Sequence, residues 1–285
     1  MTLHNPTDSN PTLSASDLAR IAVVLRREAG IELPDGKASL VQARLSKRLR
    51  ALALNSYSAY CDLVEADAAD GERMELLSAL TTNVTKFFRE RHHFDDLAER
   101  LLPEMLSKLR SGGAVRIWSA ACSSGEEPYS LAMTLLSRAP ELRNLDLRIL
   151  GTDIDPQILS VARRGLYSRE ALLDEDGSRL KAFFEDAGNN QIRMIDDIRK
   201  IITFNRLNLH QKWPMKRQFD LIMCRNVVIY FNKPDEAQIW RRMTDALLPG
   251  GHIMIGHSER IHEAERIGLS LDGVTTYRKT APNHA

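Results

Sequence analysis

The chain has only three cysteines, Cys61, Cys122 and Cys224, an odd number without C-x-x-C spacing. That excludes a regular disulfide framework and points to a reducing compartment, so the cytoplasm is expected. It also lacks an apolar run of the ~20 residues needed to cross a bilayer. The most apolar stretch, Leu221 to Phe231, is interrupted by Arg225 and Asn226, so no membrane insertion is expected. Residues 1–13 show no basic segment followed by an apolar run and read as a loose tail rather than a signal peptide. Charge of one sign is missing as well. Thirty-nine basic and 38 acidic residues leave +1, which gives no whole-chain field toward nucleic acid or an anionic membrane.

Several familiar chemistries lack their residues. There is no Walker G-K-[ST], no G-x-S-x-G elbow and no H-E-x-x-H. The eight histidines are scattered, and adjacent His92 and His93 do not supply separated ligands, so no metal is expected. What is present is an ordinary globular composition. The 285 residues, 43% hydrophobic and 27% charged, suffice for one large domain or two modest ones and exclude disorder.

The first half reads as helical. Ser14, followed by Asp17 and then Leu18, Ile21, Ala22 and Leu25, predicts a capped amphipathic helix stopped by Gly30. After a turn at Pro34-Asp35-Gly36, Val41, Leu45, Leu49 and Leu52 fall on one face of a second helix. Arg44, Lys47, Arg48 and Arg50 spread over its other side. Such a face is either plainly solvated or a dock for an acidic partner. Helical patterns at Tyr57–Ala66 and Arg73–Leu80 complete an all-helical unit over residues 14–82. Residues 83–113 read as a linker and a helical run that Pro103 bends, ending at Ser111-Gly112-Gly113.

The period then changes. VRIW (115–118), LRILG (147–151), FDLIMC (219–224) and HIMIG (252–256) read as buried strands alternating with helices. An α/β domain with a mostly parallel sheet follows for residues 114–285. Ligands in such sheets bind beyond the carboxyl ends of the strands. The first strand is followed by SAACSSGEEP (119–128), small residues that admit a ligand to the backbone, then two acids. Glu126 and Glu127 serve equally to complement a helix dipole. Asp153 ends the second strand, where a carboxylate can hold ribose hydroxyls, while Asp155 before Pro156 reads as an N-cap. Asn208 can read an adenine edge or simply make a turn. Arg225, Asn226 and Tyr230 cluster after the FDLIMC strand, and Tyr230 alone reads as well as a structural tyrosine.

TTNVTKFFRE (81–90), SAACSSGEEPYSLA (119–132), GTDID (151–155) and CRNVVIYF (224–231), in that order, resemble the CheR family of chemotaxis receptor methyltransferases over roughly residues 14–280. The resemblance implies an N-terminal helical domain and an S-adenosylmethionine-dependent methyltransferase domain. It also implies a small inserted antiparallel β-subdomain at about 165–204, with IRMI (192–195) and KIITF (200–204) as strands. The implied reaction is methyl esterification of glutamates on chemoreceptor cytoplasmic helices, with S-adenosylhomocysteine as product and no metal. By resemblance Asn83, Thr85, Arg89, Glu127, Asp153, Asn208, Leu209, Arg225 and Asn226 border the cofactor, and Arg89 and Tyr230 act on the reacting groups. It also favours docking by Arg44, Lys47, Arg48 and Arg50 on glutamate-rich receptor helices. The loop EDAGNNQ (185–191) is shorter than in relatives that tether to a receptor's C-terminal peptide, so no strong tether is expected. The competing readings are a methyltransferase of another substrate class and a cofactor-binding scaffold. R-N-V-V-I-Y in place of N-P-P-Y or D-P-P-Y weighs against the first, and intact Arg89 and Tyr230 against the second.

Overall fold

The computed structural model describes residues 11–33, 36–172 and 180–280. Pro34 and Asp35 of the expected turn, and residues 1–10 of the expected tail, lie outside the described residues. Two compact units divide after Thr82.

The first unit holds helices α1 (Ala15–Ala29), α2 (Ala38–Ala51), α3 (Tyr57–Glu65) and α4 (Asp70–Leu80). The Asp17 amide donates to Ser14 Oγ at 3.0 Å and the Ser14 amide to the Asp17 carboxylate at 3.4 Å, closing a capping box that starts α1. Ile21, Leu25, Val41, Leu45, Leu49, Tyr60, Val64 and Leu76 form the buried interior. Each such aliphatic side chain contributes about 1.5–3 kcal/mol of burial. Leu52 falls beyond the end of α2 and is half-buried.

The cationic face of α2 is smaller than its spacing implies. Arg48 donates to both carboxylate oxygens of Glu72, the Nε bond being 2.7 Å, and its Nη1 lies 3.4 Å from Glu75. Arg44 donates to the carbonyls of Leu80 and Thr81 at 2.8 and 3.0 Å. Both arginines therefore bind α2 to α4 and the chain leaving it, whereas Lys47 and Arg50 are exposed.

The second unit begins with α5 (His92–Asp96), one wide turn at Leu97–Leu101 and α6 (Leu102–Arg110). Pro103 has no N–H for a carbonyl one turn back, and the Leu102 amide reaches the Leu97 carbonyl five residues earlier. This segment packs inward: Phe87, Phe94, Leu97, Leu101 and Leu109 share a buried cluster with Val115 and Ile117.

Strands and helices then alternate: β1 (Val115–Ala120), α7 (Glu126–Arg138), β2 (Leu147–Asp153), α8 (Pro156–Arg164), β3 (Leu166–Ser168), β4 (Phe184–Gly188), β5 (Gln191–Met194), α9 (Asp196–Arg199), β6 (Ile202–Arg206), β7 (Phe219–Cys224), α10 (Lys233–Ala246), β8 (Leu247–Ile255), β9 (Leu269–Gly273) and β10 (Thr276–Lys279). Seven strands form one sheet in the order β6-β2-β1-β7-β8-β10-β9, in which β10 runs opposite to the other six. Successive side chains point to opposite faces. Ile117, Leu221 and Met223 enter one buried cluster and Trp118, Ile222 and Ile253 the other.

A smaller antiparallel sheet, β3-β5-β4, contains IRM of the expected insert strand IRMI. The other expected insert strand is corrected. Residues 202–206 form the outer strand of the large sheet, parallel to β2 with Ile202 opposite Ile149. Ile202 and Phe204 turn inward while Thr203 and Asn205 are exposed, the alternation of an edge strand with one covered face.

Candidate active site at the carboxyl edge of the sheet

The registers bring the strand ends level, since Ala120 lies opposite both Thr152 and Cys224, and Cys224 opposite Ile255. The loops after β1, β2, β6, β7 and β8 therefore leave the sheet along one edge. After β1 the chain turns through left-handed backbone at Ala121, Ser123 and Gly125, with φ of 57°, 50° and 96°. A Cβ on Gly125 would stand 2.8 Å from the Ala162 Cβ, so glycine alone lets α7 start here.

The carboxylate of Asp153 is buried and accepts the amides of Ser123 at 2.8 Å and Asp155 at 3.0 Å. Burial raises its pKa to about 6 against these amide bonds. Asp155 caps α8, as expected, by accepting the Gln157 and Ile158 amides, and it also receives the Asn83 side-chain amide at 3.0 Å. Ser123 Oγ donates to the Asn83 carbonyl at 2.8 Å. Asn83 and the loops after β1 and β2 are thus one hydrogen-bonded assembly. Thr85 is half-buried on the stretch that follows.

Arg225 and Glu127 meet below this assembly. The Arg225 side chain is 2% exposed and pairs with Glu127 at 3.0 Å and Glu90 at 3.2 Å. It also donates to the Arg89 carbonyl and lies over the Phe94 ring. The other oxygen of Glu127 accepts Ser119 Oγ at 2.7 Å. Arg225 is thereby committed to the protein, where it fixes the backbone at Arg89. Arg89 is half-buried as a residue, and its guanidinium donates to the Val84 carbonyl at 3.1 Å. Tyr230 ends the short turn Val228–Tyr230 and is half-buried, and its hydroxyl makes no hydrogen bond among the described residues.

Glu259, Glu90 and His257 also build the site without having been singled out in the sequence. Glu259, 9% exposed, accepts four main-chain amides: Asn226 and Gly256 on Oε2, both at 2.8 Å, and Val227 and Val228 on Oε1, at 3.0 and 2.9 Å. A Cβ on Gly256 would come within 2.8 Å of both that carboxylate and the Asn226 amide. Asn226 itself is left-handed, φ 57°, and reaches Glu90 at 3.4 Å. Burial pushes the Glu90 carboxyl up, but His257 at 2.9 Å and Arg225 outweigh it and hold the pKa at about 2. His93 is fully buried beside Glu90, and burial with the nearby Arg225 charge lowers its pKa to about 3. Glu90, His92 and His93 place ligand-type atoms within 4.8 Å of one another, but the Glu90 carboxylate is already engaged by Arg225 and His257. The available signal was the GHSE stretch (256–259) after a strand, where carboxylates commonly meet loop amides.

Asn208 Oδ1 accepts the His210 amide at 2.9 Å, the turn role weighed for it. Leu209 is buried and its carbonyl receives Trp213 Nε1 at 3.2 Å and Arg242 at 3.1 Å.

The small residues over the β1 tip, the buried acid ending β2 and the amides beside them fit a cationic nucleoside donor better than a polyphosphate, which the acids would repel. Two family models match: the CheR methyltransferase all-alpha domain over residues 16–81 and the CheR methyltransferase SAM-binding domain over residues 83–273. Fold and match define an S-adenosylmethionine-dependent methyltransferase. Among curated relatives, a probable chemotaxis protein methyltransferase of Rhizobium etli is 48% identical, covering 89% of this chain and 96% of that protein. Chemotaxis protein methyltransferase 2 of Pseudomonas aeruginosa is 40% identical over 92% of each. The chemotaxis protein methyltransferase of Escherichia coli is 38% identical, covering 93% of this chain and 91% of its own. The chain belongs to the CheR methyltransferase family.

Proposed function

We propose that this chain esterifies glutamate side chains of chemoreceptor cytoplasmic helices, acting in the cytoplasm and releasing S-adenosylhomocysteine. What supports this most is that Arg225 donates to the Arg89 carbonyl, tying the stretch that carries Arg89 to the loop after β7 that leads to Tyr230, at an edge where no general base is needed. A glutamate with a pKa of ~4.3 is already an anion at neutral pH. S-adenosylmethionine supplies an electrophilic methyl group on a sulfonium. The work left to the protein is desolvation and aim, an orientation effect reaching about 7–11 kcal/mol in ideal cases. In this reading the Arg89 guanidinium orients the glutamyl carboxylate. The Tyr230 hydroxyl, free of protein partners among the described residues, donates to a reacting group. Asp153 holds ribose, with Asn83, Thr85, Glu127, Asn208, Leu209, Arg225 and Asn226 shaping the pocket around it.

The partner surface on α2 centres on Lys47 and Arg50, which are exposed, while Arg44 and Arg48 hold that helix in place. The turn between β4 and β5 is built by Asn189 and Asn190, both left-handed, and is too short to offer a receptor tail a long loop. Activity independent of a C-terminal tether is therefore proposed. Incubation with methyl-labelled cofactor and receptor cytoplasmic fragments tests the reading. Base-labile label mapped to glutamate is expected, while label on amide nitrogen or on nucleic acid, or binding without transfer, would overturn it.

A further inference from the structure

The chain between Leu209 and β7 reads HQKWPMKRQ (210–218) and forms one wall of a hollow of about 530 Å³, whose other wall is α10. Lys212, Lys216, Arg217 and Arg242 line it against a single lining acid, Asp245. Lys212, Lys216 and Arg217 are exposed and make no ion pair among the described residues. The frame that carries them is fixed. The Arg242 guanidinium stacks on the Trp213 ring at 4.0 Å and donates to the carbonyls of Leu209 and Gln211. Gln218 donates to the carbonyls of Asp245 and Leu247, both at 3.0 Å. Like charges are thus held together on a preformed concave surface with an apolar floor of Trp213 and Met215, an arrangement that costs free energy until an anion arrives.

We infer that this hollow is a docking site for an acidic protein segment. Its carboxylates would lie against Lys212, Lys216 and Arg217, and an apolar side chain against Trp213 and Met215. A flat anionic membrane would not enter a concave surface whose tryptophan is half-buried. A nucleotide base would find the Trp213 ring already engaged by Arg242 and by the Trp118 ring at 5.0 Å. The inference rests on the reading above, in that the acidic segment belongs to the glutamate-bearing substrate. It gives the catalytic unit a grip of its own, next to Leu209.

The test uses the full chain and a variant carrying Lys212→Glu, Lys216→Glu and Arg217→Glu. Binding of a fluorescent receptor cytoplasmic fragment is followed by anisotropy at several salt concentrations, alongside methyl transfer. The variant should bind the fragment about tenfold or more weakly, with a flatter salt dependence and a correspondingly higher KM. Its affinity for S-adenosylhomocysteine should stay within about twofold, which reports an intact fold. If the wild-type chain methylates the fragment and the variant binds and turns over alike, the docking site falls and the reading of function stands. If binding depends on the three cations but no glutamate is esterified, the docking site stands and that reading falls. Charge-dependent retention of phosphatidylglycerol vesicles or ATP, without an effect on the fragment, would also overturn the docking site.

Discussion

Tyr230 and Arg89 differ in how the protein holds them, and their substitutions should differ accordingly. The Tyr230 hydroxyl has no protein partner among the described residues, so Tyr230→Phe removes nothing the fold needs. Its kcat is expected to fall about 100-fold, the scale of one lost transition-state donor, with the unfolding midpoint unchanged. Full activity in both Tyr230→Phe and Arg89→Ala would remove the pair from the mechanism. Glu259 acts through others. Three of its four amide bonds hold residues 226–228, two positions before Tyr230, and the fourth holds Gly256. Glu259→Gln puts an NH2 group against amide donors, and charge-assisted bonds of this kind are worth about 1.5–3 kcal/mol each. Both kcat and thermal stability should drop, and a variant with unaltered kcat would show that the loop's position does not matter to transfer. Asp153 carries a pH signature. Its pKa is raised to about 6, so the free protein takes up a proton there as pH falls through 6. A ligand that needs the carboxylate must then work against that proton. Affinity for S-adenosylhomocysteine, measured by calorimetry, should weaken progressively below pH 6 and level off above it.

Among the elements, α2 shows how pairing partners change the meaning of a charge pattern. From sequence its four cations are equivalent. In the fold Arg48 is spent on Glu72, which also accepts the Tyr60 hydroxyl at 3.0 Å, and Arg44 on main-chain carbonyls. Reversing Arg48 would leave Glu72 half-buried without its counter-ion and loosen the helical unit. Reversing Lys47 and Arg50 tests docking cleanly: KM for receptor fragments should rise about threefold or more at low salt, with kcat nearly constant. Unchanged KM across salt concentrations would reject this surface. The strand at 202–206 makes a similar point about backbone. A five-residue apolar alternation specifies a strand but not its neighbour, and its pairing with β2 spans some 50 residues of chain.

For the whole molecule, the buried His93 near the carboxyl edge of the sheet contributes to acid sensitivity. His93 has its pKa lowered to about 3 by burial and the nearby Arg225, from the ordinary 6.5 it regains on unfolding. Between these values the unfolded chain binds a proton that the folded chain refuses. The contribution of His93 to stability is therefore fully present above pH 6.5 and is lost as pH falls toward 3. Denaturant unfolding at pH 7 and pH 4.5 should show this loss, and His93→Gln should shrink it. An equal loss in the variant would place the acid sensitivity elsewhere.

The sequence by itself determined the helical first half, the capped start of α1, the four central strands, the N-cap role of Asp155 and the motifs along the carboxyl edge of the sheet. These depend on local periodicity, capping chemistry and residue order, which a chain carries along its length. Only the tertiary structure decided that Arg225 is buried between Glu127 and Glu90, that Glu259 gathers four amides, that residues 202–206 join the large sheet, and that Arg44 and Arg48 turn inward. Each of those depends on which distant groups come within a few ångströms, and that is fixed by packing rather than by spacing along the chain.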